Sequence, residues 1–181
     1  MPIYSVYLAS LGATQLNDEA KNAVRTSLQE WFGEIVNGSD SFSGAQVSWI
    51  DSAPSSIQNS DLLVYFVPTP LESIISAMPG YRGGQGQDGT TVWANNLTAS
   101  EVYVRSSRTY LAQMAFHECM HNKLHLGDQA LHSQGGLARV PVAQGQRPSN
   151  DNITRMRGAL SRNQPQWTGG WTAWNDPLRG L

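Results

Sequence analysis

The stretch DLLVYFV at 61–67 is an unbroken apolar run that ends at Pro68. After Asp61, six apolar or aromatic residues bounded by a residue that cannot donate to a ladder read as a strand buried on both faces. A chain with such a strand must cover its sheet on two sides, so helices or further chain are expected above and below it. The flanking segments fit that demand. IYSVYL (3–8) alternates and is rich in β-branched and aromatic residues, AQVSWI (45–50) reads the same way, and TTVWA (90–94) and EVYVR (101–105) are short strands separated by NNLTAS. Between the first two strands, Ala20, Val24, Leu28, Trp31 and Ile35 recur at spacings of three and four. That period predicts a helix over about 17–37 with Gly38 as its stop. A second helix is expected from about Ser107, and NITRMRGALSR (152–162) predicts a last one. The order is β-α-β-β-β-β-α followed by a loop-rich part, an α+β fold in one domain: an N-terminal sheet with its second helix over 1–126, then a C-terminal subdomain over 127–181.

Composition narrows the function classes. Of 181 residues 40% are hydrophobic and 14% charged, and the formal net charge is −2. Nothing in that balance calls for nucleic acid. Residues 1–104 hold three basic and ten acidic side chains, and 136–181 hold six arginines and two aspartates. The unevenness reads as solvated surface. Cys119 is the only cysteine, which excludes an internal disulfide. No segment reaches the ~18 apolar residues of a membrane span. The start, MPIYSVYLASLGA, has no basic region before its apolar residues. A soluble protein, cytoplasmic or exported without a cleaved signal, is expected.

All four histidines fall in AFHECMHNKLHLGDQALH, 115–132. His117 and His121 are four apart, so on a helix they share one face about one turn from each other. Two imidazoles so placed can bind one metal ion, with Glu118 at the edge of the face to hold and deprotonate a water beside it. Zinc polarises a carbonyl and acidifies water, and the carboxylate carries the proton to a leaving amine. Those parts predict amide hydrolysis by a Zn2+ enzyme acting on a peptide or protein.

The third ligand is open among His132, Asp128 and His125, or a distant acid. His125 would lie about 12 Å from His117 along a continuing helix, too far to share the ion. With Gly127 as the helix stop, Asp128 has little chain in which to return, whereas His132 has five residues to double back. His132 is favoured, with Asp128 as the alternative. Gly135-Gly136 would make a turn that helps bring His132 in. Cys119 and Met120 read as core, and Lys123 as solvated.

HECMH on a helix preceded by this strand series resembles the zincin metallopeptidases, and within them the metzincin-like clan. The resemblance implies a mixed sheet, His117 and His121 as zinc ligands, and Glu118 as general base. It also implies that TTVWANN is an antiparallel edge strand that pairs with an extended peptide, and that Met156 is a methionine-turn residue beneath the metal. The chain departs from the clan's HExxHxxGxxH or HExxHxxGxxD, having Leu124 for the glycine and Gly127 for the third ligand. A thermolysin-like enzyme is disfavoured because no glutamate follows Glu118, and a deformylase because the only cysteine lies inside HECMH. The other functional class is a binding module on an inactive zincin scaffold, with Trp167, Trp171 and Trp174 as its contact surface.

Overall fold

The computed structural model describes residues 1–11, 16–82, 86–104 and 110–175. Five strands form one sheet in the order β2-β1-β3-β5-β4, where β1 is Ile3–Ser10, β2 Gly44–Ile50, β3 Leu62–Val67, β4 Gly89–Ala94 and β5 Leu97–Tyr103. β1, β2, β3 and β5 run parallel, and β4 pairs antiparallel with β5, at the edge of the sheet among the described residues. The sheet is therefore mixed, and the chain is α+β as its pattern implies.

β3 shows why its sequence has no polar face. Leu62, Val64 and Phe66 point into a core shared with helices α1 (Asp18–Val36), α2 (Leu111–Leu124) and α4 (Asn150–Ala159). Leu63, Tyr65 and Val67 point the other way, into a second core with Ile74, Ile75 and Trp167. Each such side chain taken from water contributes about 1.5–3 kcal/mol. Trp167 is buried, Trp171 and Trp174 pack against the same face, and the Tyr65 hydroxyl donates to the Trp167 carbonyl at 2.8 Å. Trp167 is thus part of the core, and Trp171 and Trp174 are partly buried against the same face of the sheet.

α1 begins where Asn17 caps it, accepting from the Ala20 N–H at 2.9 Å, and ends before Gly38, which takes φ +122°. Other boundaries differ from the sequence reading. The separator between β4 and β5 is Asn95-Asn96 alone, both at positive φ (50° and 63°), and Leu97–Tyr103 is strand. Two consecutive left-handed residues make the tight hairpin turn that matches strand twist, so LTAS is free to pair. The expected start of α2 near Ser107 lies outside the described residues, as do Arg105 and residues 83–85 in the middle of PGYRGGQGQDG (79–89), whose five glycines read as a loop. Two further short helices occur: α3 at Asp128–His132 and α5 at Gly170–Trp174. The last helix among the described residues is therefore α5, not 152–162. Met156 is buried inside α4, so it is a helix packing residue and not part of a turn. The capping box of Ser149 and Asn152 starts that helix upstream of it. Among the described residues no helix is long and apolar enough to cross a membrane.

Candidate metal centre

Every residue of α2 from Leu111 to Lys123 is buried. Its apolar residues anchor it: Phe116 packs edge-on to Trp31 and tilted against Phe32 of α1. Its polar residues must then find partners inside the protein. His117 and His121 form one stripe, and Glu118 and Asn122 form the next, toward β4 and β5. Cys119 and Met120 are core, as their types imply. Lys123 is the exception to expectation. It is wholly buried, donates to the Ser60 and Arg162 carbonyls at 2.6 and 3.0 Å, and burial pushes its pKa down to about 8. Two chain segments end their carbonyls on it, which explains why it is not at the surface.

α2 stops at Leu124, earlier than Gly127. His125 takes the left-handed conformation (φ 58°), and its N–H caps the His121 carbonyl at 2.9 Å. The turn sends the His125 ring away to pack on Trp93, with centroids 4.7 Å apart, and so removes it from the ligand set. The same turn brings the Leu126 carbonyl to His121 Nδ1 at 2.6 Å. α3 then folds back, held by the fully buried Leu131, and carries His132 to the other two histidines.

The three Nε2 atoms of His117, His121 and His132 lie 3.1, 3.2 and 3.2 Å from one another. With zinc–nitrogen bonds of about 2.0–2.1 Å, two nitrogens on one tetrahedral ion stand roughly 3.3 Å apart. The donor set fits such an ion. Its electronic state fits as well. A carbonyl can only accept, so His117 Nδ1 donates to the Leu137 carbonyl at 2.6 Å and His121 Nδ1 to Leu126. In the neutral rings Nε2 then carries a lone pair, and burial lowers the pKa of both, His117 to about 4. At neutral pH these two lone pairs face each other at 3.1 Å with no proton between them. A cation would relieve that repulsion.

Asp128 stands close by without joining. Its Oδ1 is 3.8 Å from His121 Nε2 and 4.0 Å from His132 Nε2, and its side chain is largely exposed. At those distances it flanks the three nitrogens on the solvent side.

Glu118 is also buried. Burial in the metal-free chain drives its pKa up to about 8, the Thr91 hydroxyl opposes that rise, and Asp128 and Glu101 add to it. Thr91 Oγ1 donates to Glu118 Oε2 at 2.7 Å. Gly89 leaves room for the acid, since a Cβ there would come within 2.7 Å of Glu118 Oε1 and 2.9 Å of the Glu101 carbonyl oxygen. His117, Glu118, His121, His132 and Asp128 open onto one cleft of about 670 Å³. The edge strand β4 lines one wall, and Val140, Pro141 and Val142 form part of the other.

Two supporting groups were invisible in the sequence. The Leu126 and Leu137 carbonyls carry no residue-type signal at all. Asn152 did leave one, the Ser149-x-x-Asn152 spacing of a helix start. It is fully buried, accepts from the Leu137 and Ser149 N–H groups at 2.9 and 3.1 Å, and donates to the Gly135 carbonyl at 3.0 Å. Gly136 takes φ +67° against it. The Gly135-Gly136 turn therefore presents the Leu137 carbonyl to His117; it does not steer His132. Partners of this kind orient a metal-binding ring and fix its tautomer. Asn152→Ala is expected to weaken zinc binding about 10–100-fold, measured by competition with a chelating dye. Unchanged affinity would mean that the turn holds itself.

The chain matches no protein-family model, no curated protein and no solved structure.

Proposed function

We propose that the protein is a zinc-dependent endopeptidase in which His117, His121 and His132 hold the ion and Glu118 is the general base. One observation carries this reading: three imidazole nitrogens converge at ligand-sphere spacing, two of them with tautomers already fixed, on a cleft wall that also presents a buried carboxylate. Zinc in such a site acts as a Lewis acid toward a substrate carbonyl and makes water a nucleophile near neutral pH. The remaining work falls to the chain. Glu118 takes a proton from the attacking water and returns it to the leaving nitrogen, with Thr91 fixing one carboxylate oxygen so that the other faces the cleft. An ion beside Glu118 favours its charged form and offsets the burial that otherwise raises its pKa.

An extended peptide is the substrate that suits the cleft. Among the described residues β4 hydrogen-bonds to β5 on one side only, and that outer edge can pair with a peptide backbone. The resemblance to metzincin-like zincins points the same way, although the third histidine follows His121 by eleven positions in place of six. The inactive-module alternative is less favoured, because Trp167 is buried in the core and Trp171 and Trp174 are partly taken up by packing on the sheet.

Metal removal tests the proposal. The purified protein should contain one equivalent of zinc, cleave denatured casein, lose that activity to a chelator and regain it with zinc. Absence of both zinc and cleavage would overturn the reading.

A further inference from the structure

Behind Glu118 lies a run of buried polar side chains whose hydrogen-bond direction is forced. Gln166, on the segment after α4, sets it. Its Oε1 accepts from the Leu63 backbone N–H at 3.4 Å, and its Nε2 donates to the Gln164 carbonyl at 2.8 Å. A backbone N–H can only donate and a carbonyl can only accept, so this amide has one orientation. The next amide, Asn122, is then oriented too. Its Nδ2 faces Gln166 Oε1 at 3.1 Å, while its Oδ1 faces Gln166 Nε2 at 3.3 Å and accepts from Thr98 Oγ1 at 3.2 Å.

Asn122 Nδ2 also reaches Ser100 Oγ at 2.9 Å, and so must donate to it. Ser100 has one hydroxyl hydrogen, left for Thr91 Oγ1 at 2.9 Å. Thr91, accepting there, has one hydrogen and two acceptors in reach, Glu118 Oε2 at 2.7 Å and the Glu118 backbone carbonyl at 3.1 Å, and the shorter contact to the charged oxygen takes it. An ionised carboxylate only accepts, which closes the direction of the chain. Gln166, Asn122, Ser100 and Glu118 are all buried.

We propose that Gln166, Asn122, Ser100 and Thr91 form a one-way hydrogen-bond relay whose last hydroxyl holds the Glu118 carboxylate in its working orientation. They are positioning residues, and their role rests on the peptidase reading above. The relay ties a side chain 48 positions downstream of Glu118 to the chemistry. It also explains why β4 and β5 carry small hydroxyl residues facing α2, where β-branched aliphatics would pack equally well.

The test compares the zinc-loaded parent with Thr91→Val, Thr91→Ser and Glu118→Gln on one peptide taken from a site cut in denatured casein. Valine keeps the shape and removes the hydroxyl; serine keeps the hydroxyl. Thr91→Val should lower kcat about 10–100-fold with KM and zinc content within about twofold of the parent, and Thr91→Ser should recover most of that loss. A crystal structure of Thr91→Val should show the Glu118 carboxylate rotated from its parent position, a readout independent of turnover. Equal kcat in parent and Thr91→Val, or equal losses in the valine and serine variants, would overturn the relay while Glu118→Gln remained inactive. A Glu118→Gln variant as fast as the parent would instead sink the peptidase mechanism, and the relay with it.

Discussion

Replacing His132 with alanine is expected to weaken zinc binding by two to three powers of ten, whereas Asp128→Ala costs less than tenfold and His125→Ala nothing. The ranking follows from geometry. His132 Nε2 stands 3.2 Å from each of the other two ring nitrogens, as a ligand on the same ion must. Asp128 Oδ1 stands 3.8 and 4.0 Å from the nearest two and keeps most of its side chain in water. His125 is turned onto Trp93. If a small zinc site is worth about 10–16 kcal/mol, one ligand among few accounts for roughly 3–4 kcal/mol, hence the two to three powers of ten. An exposed carboxylate outside the ligand sphere contributes through space and is screened by salt. The measurement is zinc affinity by competition with a chelating dye on the three variants side by side. Retention of full affinity by His132→Ala together with its loss in Asp128→Ala would reverse the assignment.

The third histidine shows what a sequence can and cannot supply. Counting along a helix weighs against His125 on distance, and chain length favours His132. The actual route differs at both ends, because α2 stops at a left-handed His125 and not at Gly127. No period reveals that stop, since hydrophobic spacing carries no information on which residue turns left-handed. It is imposed by tertiary demand: Leu126 must turn its carbonyl back to His121. The HExxH spacing itself was legible, because a helical period translates directly into a shared face. The edge position of β4 follows from the family resemblance alone; its short hairpin turn is not legible, because nothing in NNLTAS marks that the turn ends at Asn96 and the strand resumes at Leu97. Met156 misled for a related reason. A methionine before helix-like residues suits a turn as well as a helix, and the cap at Ser149 decided it. The relay behind Glu118 could not be read at all, since Thr91, Ser100 and Gln166 come from three separated segments and acquire direction only in contact.

Glu118→Gln is expected to lower kcat by on the order of 10²–10⁴-fold without unfolding the protein or releasing zinc. Glutamine keeps the side chain's length and can still accept from Thr91, so packing against Gly89 and the hydrogen bond at 2.7 Å survive in form. What disappears is basicity. The same variant carries a second, independent signature in the metal-free protein. Burial raises the pKa of Glu118 from 4.5 to about 8, so the folded chain holds that proton more tightly than the unfolded chain does. Folding is then most favoured where both states are protonated, below about pH 4.5, and stability is lost as pH rises toward and through 8. The Gln variant has no proton to lose there. Its stability relative to the metal-free parent should therefore grow across pH 4.5–8, by at most about 5 kcal/mol, one pKa unit being worth about 1.4 kcal/mol. His117 and the other titrating groups are common to both proteins, and their contributions cancel in the difference. Urea unfolding of the two metal-free proteins at several pH values measures it. A flat difference would mean that Glu118 ionises freely in the folded chain, contrary to its burial. A growing one, with turnover lost and zinc retained, would place a buried carboxylate at the base's position and leave it only the proton transfer to perform.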